Sequence, residues 1–358
     1  MSRAMQYLAF YGVFSLVLYG MHLYVYFRLN SMLAFSHPKT MFLLFTLLAF
    51  SFPAFSLLEK FSPGMLSMLL YAGASTWLGV VFLLFSALII YEPLRLFITV
   101  DSRTAGFTIL LTAALLSAFG LVNAFFIDVK SVEIPVPNLG QPLRIVQLSD
   151  IHVGTIHNSG YLSRIVEKTN ALQPDMVMIT GDLFDGIGPV TAHTVEPLKK
   201  LQAKAFFVIG NHERYDGLAK VSGVLEATGV VLLRNQVVEY KGIQIAGVDF
   251  PEREGAKDNP VVRTLPIDRS KPSLLLFHAP FGLEDAAGAG INVQLSGHTH
   301  NGQIFPFSLL AKIFYPRVCG LYRIDSMSLY VSPGTGTWGP PMRLGSRSEI
   351  TLISLVQG

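Results

Sequence analysis

Four stretches of the chain carry no Asp, Glu, Lys or Arg: residues 4–27, 40–58, 61–91 and 104–127, with lengths of 24, 19, 31 and 24 residues. A helix rising ~1.5 Å per residue needs ~20 apolar residues to cross a ~30 Å hydrocarbon core. All four reach that length, the second marginally, and each predicts a membrane-spanning helix. Charges fall between the runs, at Arg28 and Lys39, at Glu59 and Lys60, and at Glu92, Arg95, Asp101 and Arg103. Tyr24, Tyr26 and Tyr91 stand near run ends, where amphipathic rings suit the headgroup layer. Pro53 predicts a kink in the second helix or a re-entrant segment. An even number of spans puts the N-terminus and the long C-terminal part on one side. The flanking cations tie (Arg3, Lys60, Lys130 and Arg144 against Arg28, Lys39, Arg95 and Arg103), so the side stays open.

From Asp128 the pattern changes. Residues 128–142, containing SVEIPVPNLGQP with three prolines, predict an extended linker between a span region (1–127) and a further domain (143–358). In that domain β-rich runs at 143–148, 176–180, 205–209, 243–248, 273–277, 293–295 and 329–332 predict strands. Amphipathic stretches at 161–172, 191–201 and 218–227 predict helices between them. The first of these helices shows Leu162, Ile165, Val166 and Leu172 on one face and Ser159 as a candidate cap. Strand and helix in alternation predict a layered α/β fold.

Composition sharpens the division. Hydrophobic residues make up 51% of the 358 and charged residues 14%, against about 25% charged in soluble domains. That excludes a disordered chain and argues against an ordinary soluble enzyme. Residues 1–127 hold six Lys and Arg against three Asp and Glu, while residues 128–358 hold twenty-one of each. The net +3 therefore belongs to the apolar third, and a balanced remainder gives no electrostatic reason to expect nucleic acid as a partner. The single cysteine, Cys319, excludes an intrachain disulfide.

Candidate chemistry gathers at strand ends. Asp150-Ile-His152, Gly181-Asp182, Gly210-Asn211-His212-Glu213, His278 and Gly297-His298-Thr299-His300 each follow a β-run. In open α/β sheets, working groups project from loops at the carboxyl ends of strands. Residues two apart in such a loop can turn the same way and bite one ion, and the glycines permit a sharp turn. Asp150, His152, Asp182, Asn211, His278, His298 and His300 offer nitrogen and oxygen donors without thiolate, a set suited to Mn, Fe or Zn, with Mn favoured. Seven ligands exceed one tetrahedral shell and suit two ions sharing a carboxylate ~3.5–4 Å apart, a spacing able to hold an attacking hydroxide and the oxygens of a phosphoryl displacement. His22, His37, His157 and His193 stand outside these patterns and are read as structural.

The ordered motifs D-x-H, G-D, G-N-H-E, a lone His and G-H-x-H resemble the calcineurin-like metallophosphoesterases, from about Leu143 to the C-terminus. The tail SPGTGTWGPPMRLGSRSEITLISL is similar to a bacterial membrane-associated branch that includes lipid-sugar nucleotide pyrophosphatases. The resemblance implies a β-sandwich flanked by helices, placed here after four spans, in a bacterial inner membrane. It implies one metal on Asp150, His152, Asp182 and His300, and another on Asp182, Asn211, His278 and His298. His212 would be the unligated histidine that protonates the leaving oxygen or stabilises charge on the phosphoryl group.

Other residues carry weaker expectations. Arg343 and Arg347 are candidate substrate phosphate grips, with surface arginine as the competing reading. Asp185 is either an orienting partner of a ligand histidine or a turn residue, and Glu213 and Arg214 either serve the site or form a solvated rim. The stretch IFPFSLLAKIFYPR sets Phe305, Phe307, Leu309, Leu310, Phe314 and Tyr315 around Lys312 and Arg317, as an interfacial segment presenting a lipid-linked substrate or as a packed loop. The sequence thus points to a membrane-bound dimetal phosphoesterase acting on a phosphodiester or pyrophosphate, lipid-linked in the leading version. A phosphomonoesterase, a protein phosphatase and a ligand-binding membrane sensor are the alternatives, and oligomeric state is open.

Overall fold

The computed structural model describes residues 3–251 and 258–358, with side chains of the first helix described from Gly12 onward. The chain divides into two compact units, Met1–Asn123 with Gly339–Leu344, and Ala124–Trp338 with Gly345–Gly358.

The first unit consists of long helices: α1 (Arg3–Leu33), α2 (Pro38–Phe61), α3 (Met65–Leu94) and α4 (Ser102–Phe125), whose last two residues belong to the second unit. All four are long and apolar enough to cross a membrane. A helix satisfies its own backbone polar groups, which hydrocarbon requires. Its exposed large side chains are apolar, Leu16, Leu47, Leu66 and Leu111 among them, while polar groups pair with one another. Trp77 Nε1 donates to His22 Nε2 at 2.9 Å, leaving His22 Nδ1 to donate to the Leu18 carbonyl at 2.7 Å. Arg28 and Arg95 both pair with Glu92, at 2.5 and 3.0 Å. Pro53 lies within an unbroken α2, so that segment is not re-entrant. Gly339–Leu344 joins this unit from the far end of the sequence. The Arg343 N–H donates to the Gly120 carbonyl at 2.9 Å, and Asn123 Nδ2 donates to the Arg343 carbonyl at 2.9 Å.

The second unit is an α/β sandwich. Its strands are β1 (Ile127–Val136), β2 (Leu143–Leu148), β3 (Met176–Ile179), β4 (Lys204–Phe207), β5 (Val231–Leu232), β6 (Gln236–Tyr240), β7 (Ile243–Gly247), β8 (Ser273–Leu276), β9 (Val293–Ser296), β10 (Gly320–Ile324), β11 (Met327–Val331) and β12 (Ser348–Gln357). Between them lie α5 (Ser159–Ala171), α6 (Ala192–Val195), α7 (Asn211–Asp216), α8 (Leu218–Glu226), α9 (Leu283–Ala289) and α10 (Phe307–Phe314). Two six-stranded sheets form, in the orders β1-β12-β2-β3-β4-β5 and β10-β11-β9-β8-β7-β6. β2, β3 and β4 run parallel in the first, and β7, β8 and β9 in the second.

The central strands are apolar on both faces, as parallel strands covered on both sides must be. Ile145, Met178, Phe206, Ile245, Leu276 and Ile353 meet in the layer between the sheets. The alternate residues Val146, Val177 and Phe207 face outward to Leu162, Ile165 and Val166 of α5 and Leu225 of α8. On the other sheet Leu275 and Leu329 pack with Leu283 and Ala286 of α9.

Three expectations need correction. Residues 127–136 are not linker but β1, an edge strand registered in parallel along the whole of β12, where Pro135 costs no central ladder bond. The expected helix at 191–201 is α6 followed by a 3₁₀ turn, Glu196–Lys200, because Pro197 lacks the N–H an α-helix needs there. The cap of α5 is Asn158, whose side chain accepts the Tyr161 N–H at 3.2 Å, and not Ser159.

Ile353 is fully buried between the sheets. Ile353→Ala is expected to cost about 2–5 kcal/mol, read as earlier melting of the α/β unit by scanning calorimetry in detergent.

Candidate metal centre

The strand ends deliver the candidate residues. Asp150 and His152 follow β2, Asp182 follows β3, Asn211 follows β4, His278 follows β8, and His298 and His300 follow β9. Each group stands at the carboxyl end of a parallel strand, so two sheets that face each other bring their loops to one rim. Asp150, His152, Asp182, His298 and His300 all take positive φ, between 49° and 72°. Asp and His tolerate this left-handed region better than most residues, and each such position costs of order 1–3 kcal/mol. The turn folds the chain back sharply and aims the side chain across the rim.

The glycines act in two different ways. Gly181 has φ +90°, a turn that needs glycine. Gly297 has no such φ. It is required by space, since a Cβ there would stand 2.2 Å from Asp150 Oδ2.

Donor atoms converge in three overlapping groups, each within 4.8 Å: Asp150 with His152 and His300, His152 with Asp182 and His212, and Asp182 with His278 and His298. His152 Nε2 and His300 Nε2 lie 3.0 Å apart, and His298 Nδ1 and His278 Nε2 lie 3.1 Å apart. Two nitrogens bound ~2.1 Å from one ion at tetrahedral or square angles are spaced about this far. Asp182 Oδ2 is 3.1 Å from His278 Nε2 and 3.9 Å from His152 Nε2, so a single oxygen faces both ends of the cluster. Asn211 Oδ1 is buried without a hydrogen-bond partner, an arrangement that normally calls for an unseen ligand. Donor type, spacing and this orphaned oxygen all fit divalent metal.

The electrostatics agree. Burial alone would lower the His278 pKa, but the adjoining Asp182 carboxylate and then Asp150 reverse this and raise it to about 10. Burial, with the His278 charge second, lowers His298 to about 4. Burial also holds His152 well below its ordinary value. Burial raises Asp150, whereas Asp182 sits well below the carboxylate range because His278 and His212 outweigh its burial. Two imidazoles are therefore already neutral for coordination, and one proton must leave.

His212 completes the middle group, with His152 and Asp182. Its Nδ1 donates to the Asp185 carbonyl at 2.7 Å, and its Nε2 stands 3.9 Å from Asp182 Oδ2. Tyr215 and Trp338 meet its ring edge-on, with centroids 5.2 and 5.8 Å away. Asp185 thus orients a histidine through its backbone. Its carboxylate accepts N–H bonds from Thr155, Ile187 and Gly188 at 3.2, 2.8 and 2.7 Å, bracing the adjacent loop.

Two contributors were not assigned their roles from sequence. Glu213, read as a possible solvated rim, is fully buried and accepts N–H bonds from Asp182, Phe184 and Gly210 at 3.0, 3.2 and 2.6 Å. Its place beside His212 in the motif was the available signal. Tyr315, grouped from sequence with the lipid-facing residues, instead brings its hydroxyl 2.9 Å from His298 Nε2. That contact orients a candidate ligand through its second nitrogen, and no sequence signal marks it.

The arginine expectations fare differently. Arg347 is exposed and pairs with Asp128 at 3.3 Å. Arg343 is buried, in the segment Gly339–Leu344 that belongs to the helical unit. Arg214 turns to the Phe250 carbonyl. His157 is structural, stacked on Tyr161 at 4.2 Å and accepting the Thr337 N–H.

Because His278 keeps its proton up to about pH 10 in the metal-free protein, metal must expel it. Apparent affinity is expected to rise roughly tenfold per pH unit toward that value, with about one proton released per cluster filled. Titration calorimetry in buffers of different ionisation enthalpy measures both. Glu213→Ala strands three backbone donors, each worth about 1–3 kcal/mol when left unsatisfied. It is expected to abolish tight metal uptake in equilibrium dialysis although Glu213 is not itself a ligand.

A family model for calcineurin-like phosphoesterases matches residues 143–302. A "Transmembrane protein with metallophosphoesterase domain" of Danio rerio is 39% identical over 272 residues, covering 69% of this chain and 62% of that protein. An uncharacterized metallophosphoesterase of Campylobacter jejuni is 37% identical over 240 residues, covering 64% and 63%. The chain therefore spans less than two thirds of the length of these relatives. An uncharacterized metallophosphoesterase of Aquifex aeolicus is 30% identical over 261 residues, covering 68% of this chain and 97% of that protein. Among solved structures, an archaeal phosphodiesterase aligns over 54% of this chain and 84% of its own, at 16% identity and a TM-score of 0.32. With a relative matched over nearly its whole length and every motif standing at the rim of one sandwich, the chain belongs to the calcineurin-like phosphoesterase family.

Proposed function

We propose that this chain is a membrane-bound phosphoester hydrolase that cleaves a phosphodiester or pyrophosphate carried on a lipid, in a bacterial inner membrane. The observation that carries the reading is Asp182, one carboxylate shared by two donor groups, with His212 fixed beside it. Asp150, His152, Asp182 and His300 would hold one divalent ion, and Asp182, Asn211, His278 and His298 the other, with manganese our preferred ion. When bound, such a pair supplies hydroxide near neutral pH and neutralises charge on phosphoryl oxygens.

The chain's own residues do the rest. The Nδ1–H bond to the Asp185 carbonyl fixes the His212 ring and turns Nε2 toward the cluster. In its imidazolium form, Nε2–H can pass a proton to the departing oxygen, which would otherwise leave as a poorly stabilised anion. Tyr215 and Trp338 hem that ring and limit water around it. Glu213 keeps the Asp182 and Asn211 loops in register while this happens. Support for a lipid-borne substrate comes from the four apolar helices and from exposed apolar side chains on α10.

Bis(p-nitrophenyl) phosphate hydrolysis by detergent-purified protein tests the reading. Turnover is expected to need added manganese and to vanish with chelator or with Asp182→Asn. His212→Ala is expected to retain metal by elemental analysis and to lose about 10²–10⁴ in rate. Loss of metal in that variant would make His212 a ligand. Absence of turnover in metal-loaded protein, extended across a panel of lipid phosphodiesters and pyrophosphates, would overturn the hydrolase.

A further inference from the structure

We infer that α10 is a bilayer-docking helix, whose apolar face enters the headgroup layer of anionic phospholipid beside the metal centre. The inference goes beyond the hydrolase reading, because it stands whether or not the centre turns over substrate.

In eight residues α10 buries only Ala311. Phe307, Leu309, Leu310, Ile313 and Phe314 are 48, 54, 48, 73 and 69% exposed, and Phe305 just before them is 45% exposed. A contiguous apolar surface of this kind on a water-facing unit marks a binding surface. Central residues of the α/β unit, by contrast, are packed on both faces, so the exposure is local to this segment and its surroundings. Trp338 adds to the same surroundings. It is 39% exposed, and its backbone N–H and carbonyl are both bonded to the Gln303 side chain at 3.0 Å.

The occupant follows from the chain. Only Phe126 separates the end of α4 from the start of β1. If α4 crosses a membrane, the α/β unit is held at that membrane by a tether of one residue, and lipid is the apolar phase within reach. Lys312 on α10 is exposed and Arg317 follows closely, cations suited to anionic headgroups. An amphipathic helix lying in the interface sinks its apolar face about 5–10 Å.

The helix is also joined to the chemistry. Tyr315 follows Phe314 directly. Its ring stacks on Phe281 at 5.3 Å, and its hydroxyl meets His298 Nε2. A lipid whose chains stay in the bilayer against α10 would therefore present its headgroup phosphate where the candidate ligands converge.

The test uses the full chain with Cys319→Ser, reconstituted in vesicles of phosphatidylethanolamine and phosphatidylglycerol. A nitroxide is attached at Ile313→Cys or, as a water-exposed control, at Lys220→Cys. The Ile313 label is expected to collide readily with oxygen and several-fold less often than the control with an aqueous nickel chelate. Equal nickel collisions at both positions would overturn the docking. Protection from both reagents would assign the face to a protein partner instead, and spin–spin broadening that vanishes on dilution with unlabelled chain would assign it to a second copy.

A second arm compares a vesicle-borne ester, hexadecyl p-nitrophenyl phosphate, with soluble bis(p-nitrophenyl) phosphate. Ile313→Glu with Phe314→Glu is expected to lower the vesicle-to-soluble turnover ratio several-fold, and an unchanged ratio would count against docking. Soluble turnover with the Ile313 label in water sinks the docking alone. A label in lipid with neither ester cleaved upholds the docking and counts against the hydrolase.

Discussion

The candidate metal centre depends on a carboxylate that stands in none of its donor groups. Glu213 lies in the interior and ties together the loops after β3 and β4 by accepting three backbone N–H groups. Burial, and then the nearby negative charge of Asp182, push its pKa up to about 7, while the N–H donors from Gly210 and Phe184 pull the other way. A buried carboxylate next to another is costly unless its lone pairs are satisfied. Here the satisfaction comes from backbone, which cannot swing aside as a side chain could. The brace therefore fixes the Asp182 turn itself, and with it the one oxygen that faces both donor groups.

That rigidity is needed because the rim is under strain. Five of the seven candidate ligands adopt left-handed backbone, and two pairs of imidazole nitrogens are pressed to about hydrogen-bond distance. In the metal-free state one pair is relieved by a proton on His278, whose partner His298 is correspondingly driven neutral. Coordinating such an ion would replace that single proton with a charge shared by all the donors. The sandwich supplies the opposing stability: Ile145, Leu276 and Ile353 are fully buried between sheets whose central strands present apolar residues to both sides. Strain at the rim and close packing in the middle are two halves of one design, consistent with the general tendency to concentrate unfavourable backbone at functional sites.

Much of this was legible in the sequence, for a physical reason. Parallel central strands buried on both faces read as short continuous apolar runs, and residues 143–148 were placed without error. The motifs at their ends carried residue types that leave few chemical alternatives. Legibility fell off at the edges. β1 alternates poorly, contains Lys130, Glu133 and Pro135, and buries only Ile127, Ile134 and Val136, so it resembled linker until its partner β12 was known. β5 has two residues, too few for any period to register. Among site residues, Glu213 and Tyr315 escaped because their roles rest on long-range contacts: one reaches back 31 residues to Asp182, the other 17 to His298. Periodicity and motif spacing describe neighbours along the chain and say nothing of such meetings.

The same limit applies to the tail, and there the fold has its most consequential connection. From sequence, Arg343 and Arg347 in the glycine-containing tail were candidate phosphate grips, with surface arginine as the competing reading. In the structure the tail is divided. Trp338, whose ring meets His212, belongs to the α/β unit, and Gly339–Leu344, which follow immediately, belong to the helical unit with Arg343 buried and its backbone bonded to Gly120 and Asn123. The chain thus passes between the two units three times, after Asn123, before Gly339 and after Leu344. The passage before Gly339 leaves from Trp338, the residue whose ring meets His212 within the α/β unit.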